Sequence, residues 1–183
     1  MWYNMKNIYE ELNVKKIINA AGMKTRLGGT LMHPEVIDAM HSAAKSFIDM
    51  EYLQSAASKI ISEITGAEAG FVSSGAAAGL TLSAAACIAN FDPSKMDKLP
   101  NTNDFNNEII IPRSHRNTYD HAYRAAGAIL KEAGVDDRMA GAGVRGVENI
   151  EIEDEITDKT VAIAYTAKSW SSPSIDDVVK IAN

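Results

Sequence analysis

The stretch "EIIIP" (108–112) constrains the fold of this chain more than any other. Consecutive isoleucines at 109 to 111 do not alternate with polar residues. A strand written that way carries apolar side chains on both faces, so both faces have to be covered. "TVAIAYT" (160–166) makes the same demand. Apolar strands of this kind, separated by helical patterns, predict an α/β fold: three layers, α/β/α, around a mainly parallel sheet.

A helical segment precedes the sheet. "INAAG" (18–22) reads as a short extended segment running into a glycine turn, and Gly28 and Gly29 loosen the loop "TRLGGTLMHPEV". Pro34 suits a first helical turn. Val36, Met40, Ala43, Phe47 and Ile48 then follow at helical spacing to about Met50. Leu53, Ala57, Ile60, Ile61 and Ile64 mark a second helix closed by Gly66. These patterns divide the chain into an N-terminal segment, 1–50, with a glycine loop and helix, and the first part of an α/β domain, 51–183. Further along, "TYDHAYRAAGAILKEAG" (118–134) reads as one helix and "GVENIEI" (146–152) as a strand. "SIDDVVKIA" reads as a helix opened by a box of Ser174 and Asp177. The pattern "DDVVKIAN" stops inside that helix, so the expectation is a chain covering the N-terminal part of a larger protein.

Charge narrows the function classes. The net charge is −6 and the pI about 5.2, which leaves no basic footprint for general nucleic-acid binding. Cys87 is the single cysteine, so no disulfide forms within the chain and no cysteine-rich metal site exists. In a run of small residues it reads as core packing. The N-terminus is too polar for a signal peptide, and no apolar run approaches the roughly 20 residues of a membrane span. A cytoplasmic setting is expected.

"SSGAAAGLTLSAAA" (73–86) carries the chemistry. Ser74 reads as an N-cap, with Gly75, Ala76, Ala77 and Ala78 as the first helical turn. Free N–H groups and the helix dipole make such a start an anion site, and small side chains let a phosphate approach the backbone. The plainer alternative is a capped, alanine-rich core helix. Apolar on nearly every side beyond that turn, the helix is expected to be buried.

Three ordered motifs, "INAAGMKTRLGGTLMHPEVIDAM" (18–40), "TGAEAGFVSSGAAAGLTLSAAA" (65–86) and "IIIPRSHRNTYDHAYRAAG" (109–127), resemble those of fold-type I pyridoxal 5'-phosphate enzymes. The nearest group is the one related to D-glucosaminate-6-phosphate ammonia-lyase and selenocysteine synthase. The resemblance implies pyridoxal 5'-phosphate as cofactor, with Ser74, Gly75, Ala76 and Ala77 as its phosphate cup. It implies that His115 stacks on the pyridine ring; a surface loop histidine is the alternative. Ser169 or a neighbour is read as a further ring contact. Arg26 and Arg116, with Arg113 beside them, are candidate anchors for a substrate carboxylate or phosphate. Arg26, in its glycine-rich loop, is the foremost of these. His33, His41 and His121 read as structural, because no metal-ligand grouping is visible.

The resemblance implies a lyase that performs α,β-elimination on a small amino acid or amino-sugar acid, in a homodimer or larger assembly. Alternatives are a selenocysteine-synthase-like transferase and a non-catalytic ligand-binding or assembly subunit. A nucleotide-binding α/β protein is a further one. The family's cofactor-linked lysine and its acidic partner lie further along than Asn183, and Lys168 in "YTAKSWSSP" is a poor substitute for that lysine. "GAGVRG" (141–146) fits a dinucleotide pattern, but it precedes an expected strand rather than opening a helix. "SAAK" (42–45) lacks companion elements, and "GAAAG" lacks the lysine of a P-loop.

Overall fold

The computed structural model describes residues 7–135, 146–169 and 171–183. The chain divides into two compact units, Met1–Gly70 and Phe71–Asn183.

In the first unit, helix α1 (Ile8–Glu11) starts on Asn7, whose side chain accepts the Tyr9 N–H. Residues 18–22 form no strand. Asn19 turns the backbone instead: its Oδ1 accepts the Ala21 N–H at 2.9 Å and its Nδ2 donates to Gly22 O at 2.8 Å. Such local bonds compete directly with sheet pairing. A 3-10 turn, Thr25–Leu27, follows, with Lys24 and Gly29 bridged across it. Helix α2 (Pro34–Ala43) begins on its proline as expected but ends before Phe47 and Ile48. Asp49 explains the shortfall. Its carboxylate accepts the N–H groups of Glu51 and Tyr52 and so opens helix α3 (Met50–Thr65), which Gly66 closes. Gly70 donates to Ser58 Oγ at 3.0 Å, and a Cβ on it would strike Ile61. Those contacts hold the tail against α3, and the first compact unit runs to Gly70.

The second unit contains α4 (Ala76–Ala89), α5 (Pro93–Met96), β1 (Glu108–Pro112), α6 (Asp120–Ala125), β2 (Ile129–Ala133), α7 (Asn149–Glu153), β3 (Thr160–Ile163) and α8 (Ile175–Ala182). The sheet is parallel throughout, in the order β2-β1-β3. Strand β1 is central, and its isoleucines split between two cores. Ile109 and Ile111 pack with Ala84 and Ile88 of α4, Ala126, Ala128 and Ala164. Ile110, fully buried, packs on the other face with Ala133, Val147, Ile152 and Val178. Burying each isoleucine contributes about 1.5–3 kcal/mol. Three layers follow directly: α4 and α6, the sheet, then α7 and α8.

Three sequence expectations change here. The segment 118–134 is a short helix and a strand, not one helix. Gly127 ends α6 at φ 95°, and its carbonyl accepts the Thr102 hydroxyl at 2.6 Å. Residues beyond it, helical by propensity, become β2 because β1 needs a partner. The segment 146–152, expected as a strand, opens α7 through reciprocal bonds between Glu148 and Glu151. Residues 141–145 of "GAGVRG" lie outside the described residues. Finally, α4 is buried on one face only, at Ala84, Ile88 and Ala89. Leu82 is half exposed, and Cys87 is exposed at a pocket beside the core rather than packed within it.

Gly127 gives a direct test of this packing. A Cβ there would lie 2.4 Å from Pro100 O and 2.6 Å from Thr102 Cγ2. Gly127→Ala therefore combines a steric clash with a strained φ and is expected to cost about 3–5 kcal/mol in urea unfolding. Gly75→Ala is the comparison. Its φ is 134° but nothing lies within 4 Å of the added carbon, so the expected cost is about 1–2 kcal/mol.

Candidate functional site

The carboxyl ends of parallel strands are where α/β folds place their ligands. Here β1 leads through Pro112 into a 3-10 turn, Arg113–His115. The turn folds His115 inward until it is 2% exposed. Tyr165, just beyond β3, meets the imidazole edge-on, with ring centres 4.8 Å apart and planes at 77°. The Tyr165 hydroxyl donates to Pro173 O at 2.7 Å, which fixes the phenol. The Thr166 N–H donates to His115 Nδ1 at 3.3 Å. An imidazole nitrogen that accepts is unprotonated, so the neutral ring carries its proton on Nε2. Burial pushes the His115 pKa below the ordinary histidine value, which favours this neutral form.

Helix α4 starts in the same unit. Its N-cap is Gly75, not Ser74 as the sequence led us to expect. At φ 134° and ψ 173° the Gly75 backbone takes a path that a serine would resist. The Ser73 hydroxyl donates to the Gly75 carbonyl at 3.0 Å. No side chain caps the first-turn N–H groups, and Ser74, Gly75, Ala76 and Ala77 are exposed. Lower on the helix, Thr81 Oγ1 lies 3.0 Å from Ala122 O and ties α4 to α6. Beside that packing, an open pocket of about 270 Å³ lies between α4 and the sheet, with Leu80, Ser83 and Cys87 on one side and Ala164 and Tyr165 on the other. Tyr165 thus lines this cavity with α4 while touching His115.

The arginines are placed as follows. Arg116 Nε lies 2.5 Å from Asp120 Oδ2, and its Nη1 meets Glu132 of β2. These carboxylates and the hydrogen bond to Asp120 hold the Arg116 pKa above its ordinary value. Arg113 Nε lies 3.6 Å from Glu132. Arg26 belongs to the first unit and is exposed on its 3-10 turn. Ser169 and Lys168 are exposed on the loop after β3, where the Lys168 N–H donates to Ser171 Oγ. His121 Nδ1 lies 3.2 Å from Arg124, on the surface of α6. Among the described residues no group of three or more His, Cys, Asp or Glu is placed to hold a metal ion. No helix among them is long and apolar enough to cross a membrane.

Sequence reasoning missed Tyr165, Thr166, Asn117 and Asp120. Two signals were present: an aromatic with a polar tip directly after an apolar strand, and an acid four residues beyond Arg116.

No family model matches the chain. It is 31% identical to D-glucosaminate-6-phosphate ammonia lyase of Salmonella typhimurium (strain 14028s / SGSC 2262), over 96% of this chain and 48% of the relative. It is 32% identical to a Streptomyces 5'-C-glycyluridine monooxygenase-decarboxylase, over 86% of this chain and 39% of the relative. A solved structure of D-glucosaminate-6-phosphate ammonia-lyase superposes with a TM-score of 0.87, at 31% identity, over 97% of this chain and 48% of the other. The chain thus spans less than half the length of each.

The depressed His115 pKa has a consequence for stability. Between the folded and unfolded pKa values only the unfolded chain binds the proton, so stability rises with pH there. The His115 contribution is fully present above about pH 6.5, the unperturbed value, and is lost as the pH falls below it. The thermal midpoint is expected to drop between about pH 7 and pH 5, with a shallower drop in His115→Gln. Equal slopes in the two proteins would show that His115 titrates alike folded and unfolded.

Proposed function

We propose, from homology to D-glucosaminate-6-phosphate ammonia lyase, that this chain is the cofactor-binding part of a pyridoxal-phosphate-dependent lyase. Its substrate is a small amino acid or amino-sugar acid that loses its leaving group by α,β-elimination. The observation that carries this reading is the superposition at TM-score 0.87 over 97% of the chain, at 31% identity.

The start of α4 supports this reading at the phosphate end of the cofactor. The α4 start offers N–H groups with no capping side chain, exposed small residues, and nothing within 4 Å of a carbon built on Gly75. A phosphate there would take those N–H groups and the positive end of the helix dipole. His115 is the proposed ring contact, with Ser169 a second. Its neutral imidazole is held by Thr166 and Tyr165 and is covered in this structure, so a ring stacked on it requires the surrounding loops to part. Arg26 and Arg116 are the proposed substrate anchors; at Arg116 an incoming anion has to displace Asp120 or Glu132. When bound, the cofactor supplies an electron sink for a carbanion. In this reading the α4 start binds its phosphate and His115 orients its ring.

A homo-oligomer belongs to the same proposal. Leu53, Ile60 and Ile64 of α3 are exposed, and a partner copy would cover such a face. Light scattering of the cofactor-bound protein is expected to give a dimer or larger species.

A second reading, a decarboxylase, draws on the Streptomyces relative. Ammonia and carbon dioxide release, assayed on the same amino acids, separate the two.

The phosphate cup is tested by titrating inorganic phosphate and pyridoxal phosphate against the unfolding midpoint. Both are expected to raise the wild-type midpoint, with a gain in stability of about 2.7 kcal/mol at a hundredfold excess over Kd. Ala76→Leu is expected to abolish the rise by blocking close approach. Ser74→Ala is expected to weaken it while leaving basal stability within about 0.5 kcal/mol, because Ser74 caps nothing. A wild-type midpoint indifferent to both ligands would mean that these small residues serve packing alone.

A further inference from the structure

We infer that Asp120 and Asn117 are positioning residues for His115, holding the turn after β1 at the height where its ring meets Thr166 and Tyr165. Their hydrogen bonds reach His115 through the backbone.

Asp120 opens α6 and is 5% exposed. Its Oδ2 takes the Arg116 Nε–H at 2.5 Å, and its Oδ1 takes the Asn117 N–H at 3.3 Å. A carboxylate buried this deeply is tolerated only when paired and hydrogen-bonded. Asn117 completes the link. Its Nδ2 donates to the His115 carbonyl at 2.9 Å, and its Oδ1 accepts the Tyr119 N–H at 2.8 Å. Arg116 extends its other arm to Glu132 of β2. The His115 backbone is therefore tied to the α6 start through Asn117 and Asp120. Arg116 carries the same tie to a neighbouring strand.

The ring is sensitive to that placement. Its bond from the Thr166 N–H is 3.3 Å, beyond the usual 2.7–3.2 Å for such a bond. A backbone shift of a few tenths of an ångström would break it and release the tautomer. His115 is the ring contact of the function proposed above. Its alignment is nonetheless readable in protein without cofactor, so failure of one claim does not carry the other with it.

The test is a long-range nitrogen–proton correlation spectrum of the His115 imidazole at pH 7.5, recorded on the whole chain without ligand. His115→Gln identifies the signals. Wild type is expected to show an unprotonated Nδ1 and a protonated Nε2, with no averaging. Asn117→Ala and Asp120→Asn are expected to lose this single-tautomer pattern, moving both nitrogens toward intermediate shifts, while circular dichroism stays unchanged. Asn117 is exposed, so its truncation leaves no cavity, and it decides the matter alone should Asp120→Asn not fold. Variants that unfold earlier but keep the wild-type ring signals would overturn the inference, as would a wild-type ring without a single tautomer.

Discussion

Everything in the second unit depends on β1 being covered on both faces. Ile110 points one way and Ile109 and Ile111 the other, and each finds a separate apolar cluster. A strand in that position leaves no freedom about its neighbours. Helices have to lie on both sides, and strands have to pair at both edges. Because the pairing is parallel, the connections return along the faces of the sheet and the strand ends gather on one edge. The His115 turn and the Tyr165 loop are there because β1 and β3 end there.

That same dependence explains what was legible in the sequence and what was not. "EIIIP" and "TVAIAYT" announced strands because their apolar runs are continuous, and the structure forms β1 and β3 within them. "AILKEA" did not, because alanine, leucine, lysine and glutamate favour helix locally. Only the open edge of β1 turns it into a strand, and that edge is a tertiary fact. Asp49, which caps α3 and splits the early helical pattern, went unread because the spacing of Phe47 and Ile48 carried one helix to about Met50. At the site, the small residues of 73–86 and the position of His115 could be read directly. The partners of His115 could not, since Thr166 lies 51 residues away in sequence and only the β1–β3 pairing brings it close.

The charged groups on the sheet edge balance locally. Arg113 and Arg116 face Asp120 and Glu132, so the cluster is paired rather than a surplus of positive charge. Exposed pairs such as Arg113–Glu132 contribute little to stability. Arg116–Asp120 differs, because Asp120 is buried and an unpaired carboxylate there would be costly. Its value lies in geometry: a rigid fork fixes the turn that carries His115.

The way the helices begin separates α4 from the rest. Among the described residues, α1, α3, α5, α7 and α8 each start on a side chain that accepts a first-turn N–H. Helix α2 lacks one but has Pro34, which removes a donor. Helix α6 lacks one but carries Asp120 in its first turn. Helix α4 has no cap, no proline and no carboxylate, and it opens on a glycine in a conformation that other residues avoid. Forgoing a cap costs about 0.5–2 kcal/mol. Ser74 stands one residue too early to supply it, because the Gly75 backbone turns between them. A serine at position 75 would be strained at this φ and would narrow the space before the helix. The space before the helix stays open and no side chain caps its first turn, and these are the two features on which the proposed phosphate cup rests.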